Sequence, residues 1–182
     1  AQALQHFVSH SPWDAGRLFA AVRRAGGPDP GAVWVVHDGA FVKKGQHSVG
    51  VQPQFARSLG KKVNCQVGVF VARVGRGRYR PLAARLYLPA AWLRDHAAGT
   101  AVPVDARKHA SKGEIALRLL DELRGEGDPL PVTGEEALRR LAWVKNSLGL
   151  DHFEGRTWHG WHHHVGLVFA AYGFLSGESS GS

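Results

Sequence analysis

Asp38 is the first residue whose type and setting could do chemistry. It follows Val33, Trp34, Val35 and Val36, an apolar run rich in β-branched residues that reads as a short buried strand, ending on an acid and then Gly39. A carboxylate at a strand's edge with Lys43 and Lys44 close behind suits phosphoryl chemistry. A divalent ion on the acid and two ammonium groups would all attract phosphate oxygens. The same Asp-Gly step also fits a plain turn between strands.

Positive charge recurs beyond that stretch. Lys61 and Lys62 precede an apolar run, and Arg76, Arg78 and Arg80 follow it, so these residues could line a DNA channel through phosphate contacts or stand as solvated surface charges. The chain of 182 residues carries 23 Lys and Arg against 15 Asp and Glu, a net charge of +8, with an isoelectric point near 10.1. That balance favours a polyanionic partner such as nucleic acid, although an arginine-heavy composition alone also produces it. The histidines 159, 162, 163 and 164 invite a zinc reading, since His159 and His163 are one helical turn apart, but no third ligand of the usual spacing stands nearby. Packing or DNA-backbone contact by Trp158, Trp161 and these histidines competes with it. The single cysteine, Cys65, excludes an internal disulfide and a cysteine-based zinc cluster, and fits a small core residue in a reducing compartment.

The elements that must position these groups follow from periodicity. Residues 14–24 carry Leu18, Phe19 and Val22 on one helical stripe, preceded by a shorter helix around Leu4, Phe7 and Val8. Residues 26–31 are a loop by composition. Residues 63–74 form a second strand covered on both faces, and a basic turn leads to a third over residues 79–88, so three strands make an antiparallel meander whose first member carries Asp38. Between the first two strands lies a polar stretch. Ser111 and Glu114 form a capping box for a helix through Leu123. Residues 125–132 read as a loop, because Pro129 and Pro131 remove ladder donors. Thr133 and Glu136 form a second capping box, opening a helix that Gly149 closes. A last apolar helix covers about 161–175, leaving 176–182 as a disordered tail on a single domain, 1–175. No run reaches the ~18 apolar residues of a membrane span; the best, 165–175, contains Gly166, Tyr172 and Gly173.

Two long blocks carry a resemblance. The stretch 35–51, VVHDGAFVKKGQHSVGV, with NCQVGV at 64–69, closely resembles the first catalytic block of bacterial insertion-sequence transposases of the DDE type. The stretch 148–164, LGLDHFEGRTWHGWHHH, is similar to the block near their C-terminus. The resemblance implies an α/β, RNase H-like fold: an antiparallel three-strand meander followed by helices. It also implies two aspartates and a glutamate holding two Mg²⁺ or Mn²⁺ ions for cleavage and transfer of DNA strands. Transposon ends and target DNA would be the partners, a homodimer an assembly it allows, and the bacterial cytoplasm, at the nucleoid, the location. Asp38 matches the first aspartate and would carry metal; Arg156, in the second block, joins Lys43, Lys44, Lys61, Lys62, Arg76 and Arg78 as a DNA contact.

The departures from the family pattern are specific. His37 stands where the family has an acid and Gly39 where it has a threonine. The strand that should bear the second aspartate after helix 111–124 is replaced by the proline-rich loop, as though an internal segment had been removed, so the sheet is expected to be incomplete. Counting back from the Leu-Gly-Leu turn, the third acid's place holds Leu138. Glu135 and Glu136 lie near it. Glu136 is a catalytic candidate and also the capping partner of Thr133, while Asp105 is a substitute second acid or a loop residue.

Overall fold

Val33–Val42 extends as one ten-residue strand, β1, in the computed structural model, which describes residues 7–8, 13–25, 31–75, 78–96, 101–124, 132–133, 150 and 155–178. Alternation along β1 splits its side chains between two faces. Val35, His37 and Phe41 enter one layer, and Trp34, Asp38 and Ala40 the other. The strand does not end at Asp38. Ala40, Phe41 and Val42 continue the apolar alternation, and the whole of β1 pairs antiparallel with β3 (Lys61–Gly75), Asp38 opposite Val69. The acid therefore sits in mid-strand rather than at a strand's edge.

β3 is the spine of the sheet. Residues 65–72 are buried without interruption because both faces are covered, which is why the sequence there loses its alternation. Its first residues pair with β2 (Gln52–Ala56), and from Val67 onward it pairs with β4 (Arg78–Tyr87), both antiparallel. The expected meander is thus present as β1, β3 and β4. The polar stretch between its first two strands holds an additional strand, β2, in whose ladder Gln54 pairs with Val63 while its side-chain amide donates to the Cys65 carbonyl at 2.9 Å. β4 tolerates Pro81 beside an irregularity in the ladder between Val71 and Ala72.

The proline-rich segment ends in a strand where none was expected. Val132–Thr133, β5, pairs parallel with Trp34 and Val35 on the side of β1 away from β3. Only Pro131 and Pro129 lack donors, so the residues just after them are free to enter a ladder. Thr133 therefore lies in a strand, and the helix expected to start there falls outside the described residues. Four antiparallel strands and this two-residue parallel strand make an α/β, incomplete RNase H-like sheet.

Helices fill both faces. α1 (Ala15–Arg24) is capped by Asp14, whose carboxylate accepts the Gly16 N–H at 2.8 Å, and buries Phe19 and Val22. α4 (Trp158–Glu178) packs beside α1, placing Trp161, Val165, Val168, Phe169 and Tyr172 at helical spacing against Val35, Phe41 and Phe70. Its helix starts at Trp158 and runs on through residues 176–178, beyond the 161–175 that the apolar run predicts. Gly68 makes room for this layer: a Cβ there would lie 2.8 Å from Trp161 Cζ2 and 2.7 Å from the Phe70 ring. α3 (Lys112–Arg124) covers the opposite face with Ile115, Leu119, Leu120 and Leu123. Its capping box forms as expected: Ser111 Oγ accepts the Glu114 N–H at 3.2 Å, and Glu114 accepts the Ser111 N–H at 2.7 Å. A short helix not anticipated from the sequence, α2 (Ala90–His96), follows Pro89, a residue suited to opening a helix, and buries Trp92 and Leu93.

Candidate functional site

Asp38 faces the layer that α3 covers, and the first residue of α3 reaches it. Lys112 Nζ lies 2.6 Å from Asp38 Oδ2, with the carboxylate side chain 23 % exposed and the lysine 37 %. A lysine in a helix's first turn opposes the macrodipole, while a carboxylate at that end is favourable, so Asp38 offsets a charge that would otherwise be misplaced. The ammonium also stands 5.7 Å from the centre of the Tyr87 ring. Asp38, Phe55 and Arg57 help line one small cavity of about 10 Å³ with Ala40, Ala56 and Val67.

A magnesium ion takes six oxygens in near-octahedral array, and a pair of ions needs carboxylates to bridge them. Among the described residues no three of His, Cys, Asp and Glu converge on a point that could hold a metal. At Asp38 the nearest charged group is an ammonium, which has no lone pair to give. The described residues do not fit a two-metal centre.

Of the other acids considered from sequence, Glu135 and Glu136 lie outside the described residues, as does Leu138 at the third acid's place. Asp105 is exposed in a short 3₁₀ turn over Val104–Arg107. It borders a separate depression of about 850 Å³ alongside Glu122, Arg85 and His159, and is not among the residues lining the Asp38 cavity.

The basic residues fall into two groups. Lys43 and Lys44 follow β1 where its end meets the start of β3, and Lys61 and Lys62 open β3 itself. Asn64 ties this end together, donating to the Lys43 carbonyl at 2.8 Å and the Gly45 carbonyl at 3.0 Å. Arg156 joins through its carbonyl, which accepts the Val49 N–H at 3.0 Å. Arg78 pairs with Gly75 at the far end of β3, roughly 40 Å from Lys62 at the ~3.3 Å per residue of an extended strand. Arg76 lies outside the described residues. The cations thus gather at one end of the sheet, with Arg78 at the other.

Three histidines of α4, His162, His163 and His164, are engaged with the backbone. His162 Nε2 accepts the Leu86 N–H at 3.4 Å, so its Nδ1 carries the proton and donates to the Trp158 carbonyl at 2.9 Å; burial pushes this imidazole's pKa down to about 3. The two ring nitrogens of His163 face the Val8 carbonyl at 2.9 Å and the Trp13 carbonyl at 2.6 Å, and its ring stacks on Trp13 at 3.9 Å. His164 Nε2 faces the Leu150 carbonyl at 3.2 Å. A nitrogen that donates to a carbonyl has no lone pair for zinc, and these bonds tie α4 to β4 through His162, to the N-terminal segment through His163 and to Leu150 through His164.

His37 serves the other layer. Its Nε2 is 2.9 Å from the Tyr79 hydroxyl, its ring stacks near Phe70, and burial lowers its pKa to about 4 despite the neighbouring Asp38 charge. Burial raises the pKa of the Tyr79 hydroxyl in turn, so it stays protonated.

Sequence reasoning missed Lys112, Phe55 and Arg57. For Lys112 the signal was a lysine in the first turn of a well-capped helix, where a cation needs an anionic partner. Phe55 and Arg57 were hidden in the stretch read as polar.

A family model described as DDE superfamily endonuclease matches residues 1–133, from the N-terminal segment through β5. No curated protein and no solved structure matches the chain.

Proposed function

Because this chain belongs to the DDE superfamily endonuclease family, we propose that it is a DNA-binding domain of transposase type whose strand cleavage and transfer are impaired. One observation carries this: the carboxylate that matches the family's first aspartate is neutralised by Lys112 at 2.6 Å. In such enzymes Mg²⁺ or Mn²⁺ would supply the activated oxygen nucleophile and stabilise the leaving oxygen. What this chain's described residues offer at that place is a lysine–aspartate pair and a cationic rim. Lys43, Lys44, Lys61, Lys62 and Arg156 are the proposed phosphate contacts, with Arg76 and Arg78 as more distant ones. Transposon ends and target DNA are the proposed ligands, and loss of a segment after β5 is the proposed origin of the short parallel strand.

The test is DNA affinity against salt, measured by fluorescence anisotropy on the whole chain. Affinity should fall steeply with salt, each phosphate contact adding about 0.9 to the log–log slope on duplex DNA. Asp38→Asn should leave that slope unchanged. Undetectable binding at low salt would end the DNA reading.

A second reading has its own support. The ladder pairs Val35 with Thr133, and counting three residues on from each reaches Asp38 on one strand and Glu136 on the other. In the live-enzyme reading Glu136 would join Asp38 as a second carboxylate and would not be a helix cap. Since Cys65 is buried, a double variant Asp38→Cys, Glu136→Cys tests this by oxidation. Neighbouring strands hold Cα atoms within disulfide reach, so rapid cross-linking supports the live-enzyme reading and its absence supports the impaired one.

A further inference from the structure

Between Asp38 and Asp95 the sequence holds no acidic residue, while eleven lysines and arginines fall in the same interval. That interval contains β2, β3 and β4, so most of the sheet is built from a segment with only one sign of charge. At the end of the sheet where Lys43, Lys44, Lys61 and Lys62 gather, the β2–β3 hairpin presents Phe55, 60 % exposed, directly opposite Lys62 in the ladder. Leu59 and Val42 are exposed at the same end. A large aromatic left in solvent costs hydration free energy, and here it stands opposite Lys62 on a hairpin that also carries Arg57 and Lys61. A protein partner would have to bring a strongly acidic surface to this hairpin. A nucleic-acid strand brings both what the cations need and what the ring needs: phosphates for Lys61, Lys62 and Arg57, and the flat face of a base for Phe55.

We propose that Phe55 is a stacking platform for an unpaired nucleotide of a DNA strand, with Lys61, Lys62 and Arg57 holding the phosphates on either side. The site is distinct from the carboxylate chemistry: it needs no metal, and it persists whether or not Asp38 can cut. By ladder register Phe55 shares its face of the hairpin with Lys62, the face opposite Asp38, so the platform is separate from that carboxylate. The platform favours single strands, because a base inside a duplex is already stacked on both sides and offers Phe55 only the cost of unstacking. The proposal rests on the DNA-binding reading and refines where and how the strand is held.

The experiment compares the whole chain with Phe55→Ala and Phe55→Trp on a short single-stranded oligonucleotide and on the corresponding duplex, by fluorescence anisotropy at several salt concentrations. Phe55→Ala should weaken single-strand binding about tenfold, the range for loss of one base–aromatic stack, with an unchanged salt slope and little change on duplex. Phe55→Trp should keep wild-type affinity, and its added indole should be quenched by the single strand. Lys62→Ala should instead lower the salt slope by about 0.7 on single strands. Because Phe55 is exposed, these variants are expected to fold, which thermal unfolding checks. Single-strand affinity unchanged by Phe55→Ala, or equal losses on single strand and duplex, would overturn the platform while leaving DNA binding intact. Failure of the wild-type chain to bind either DNA would instead remove the underlying DNA reading.

Discussion

His37 and Asp38 are neighbours in sequence on opposite faces of one strand, and the chain deals with their charges in opposite ways. On the His37 side, α1 and α4 close an aromatic layer over the sheet, and the imidazole is kept neutral by burial and held by the Tyr79 hydroxyl. On the Asp38 side, α3 leaves the carboxylate partly in solvent and supplies Lys112 as its counter-ion. The first solution makes a rigid wall that cannot respond to ligand. The second leaves a charged pair whose partners can be exchanged. Where an acid is left in a pair rather than a core, its chemistry depends on what competes for it, and in this chain the competitor is built in.

The largest way to break that contrast is to open the wall. Trp161→Ala removes a side chain 1 % exposed that packs on Phe41 and Phe70, and should cost about 3–5 kcal/mol in urea unfolding, with Phe55→Ala as an exposed control near zero. Acid should loosen the same wall next. His37 and His162 are depressed to about 4 and about 3, so the unfolded chain, with imidazoles near 6.5, takes up protons first. Stability is therefore full above about pH 6.5 and falls as the pH drops toward 4, by roughly 2–3 kcal/mol for each histidine at pH 4.5. Urea midpoints at pH 7 and pH 4.5 check this, and His37→Phe should flatten the dependence by about half. The smallest stability effect belongs to the other face: Lys112→Met removes a partly exposed ion pair and should shift stability by under about 1 kcal/mol. Its larger consequence should be on Mn²⁺ binding followed by calorimetry. Without the competing ammonium, Asp38 should gain a weak site that is absent in the wild-type chain and absent again in the double variant with Asp38→Asn.

What could be read from the sequence follows the same division. The meander, α1, the capping box of α3 and the apolar stripe of α4 were legible because each is written in local periodicity and cap chemistry. Asp38's position within β1 was misjudged because Asp-Gly is also a turn signal, and only the pairing of Gly39 with Gly68 reveals that the strand continues. β2 escaped because its polar residues give no apolar alternation and its place is set by backbone pairing with β3, and β5 because prolines at the start of a segment say little about the residues after them. That Lys112 needs an anion was legible from its place in the first turn of α3, but which anion was not. Lys112 lies 74 residues away, and nothing local links a lysine at a helix start to an acid in the middle of a strand.

The most direct measurement is a nicking assay on supercoiled plasmid DNA with Mg²⁺ or Mn²⁺, comparing the wild-type chain with Asp38→Asn. Both should leave the plasmid intact while still binding it. Metal-dependent nicking by the wild-type chain that disappears in Asp38→Asn would show that Lys112 yields the carboxylate to a metal ion, and the account of an impaired site would be contradicted.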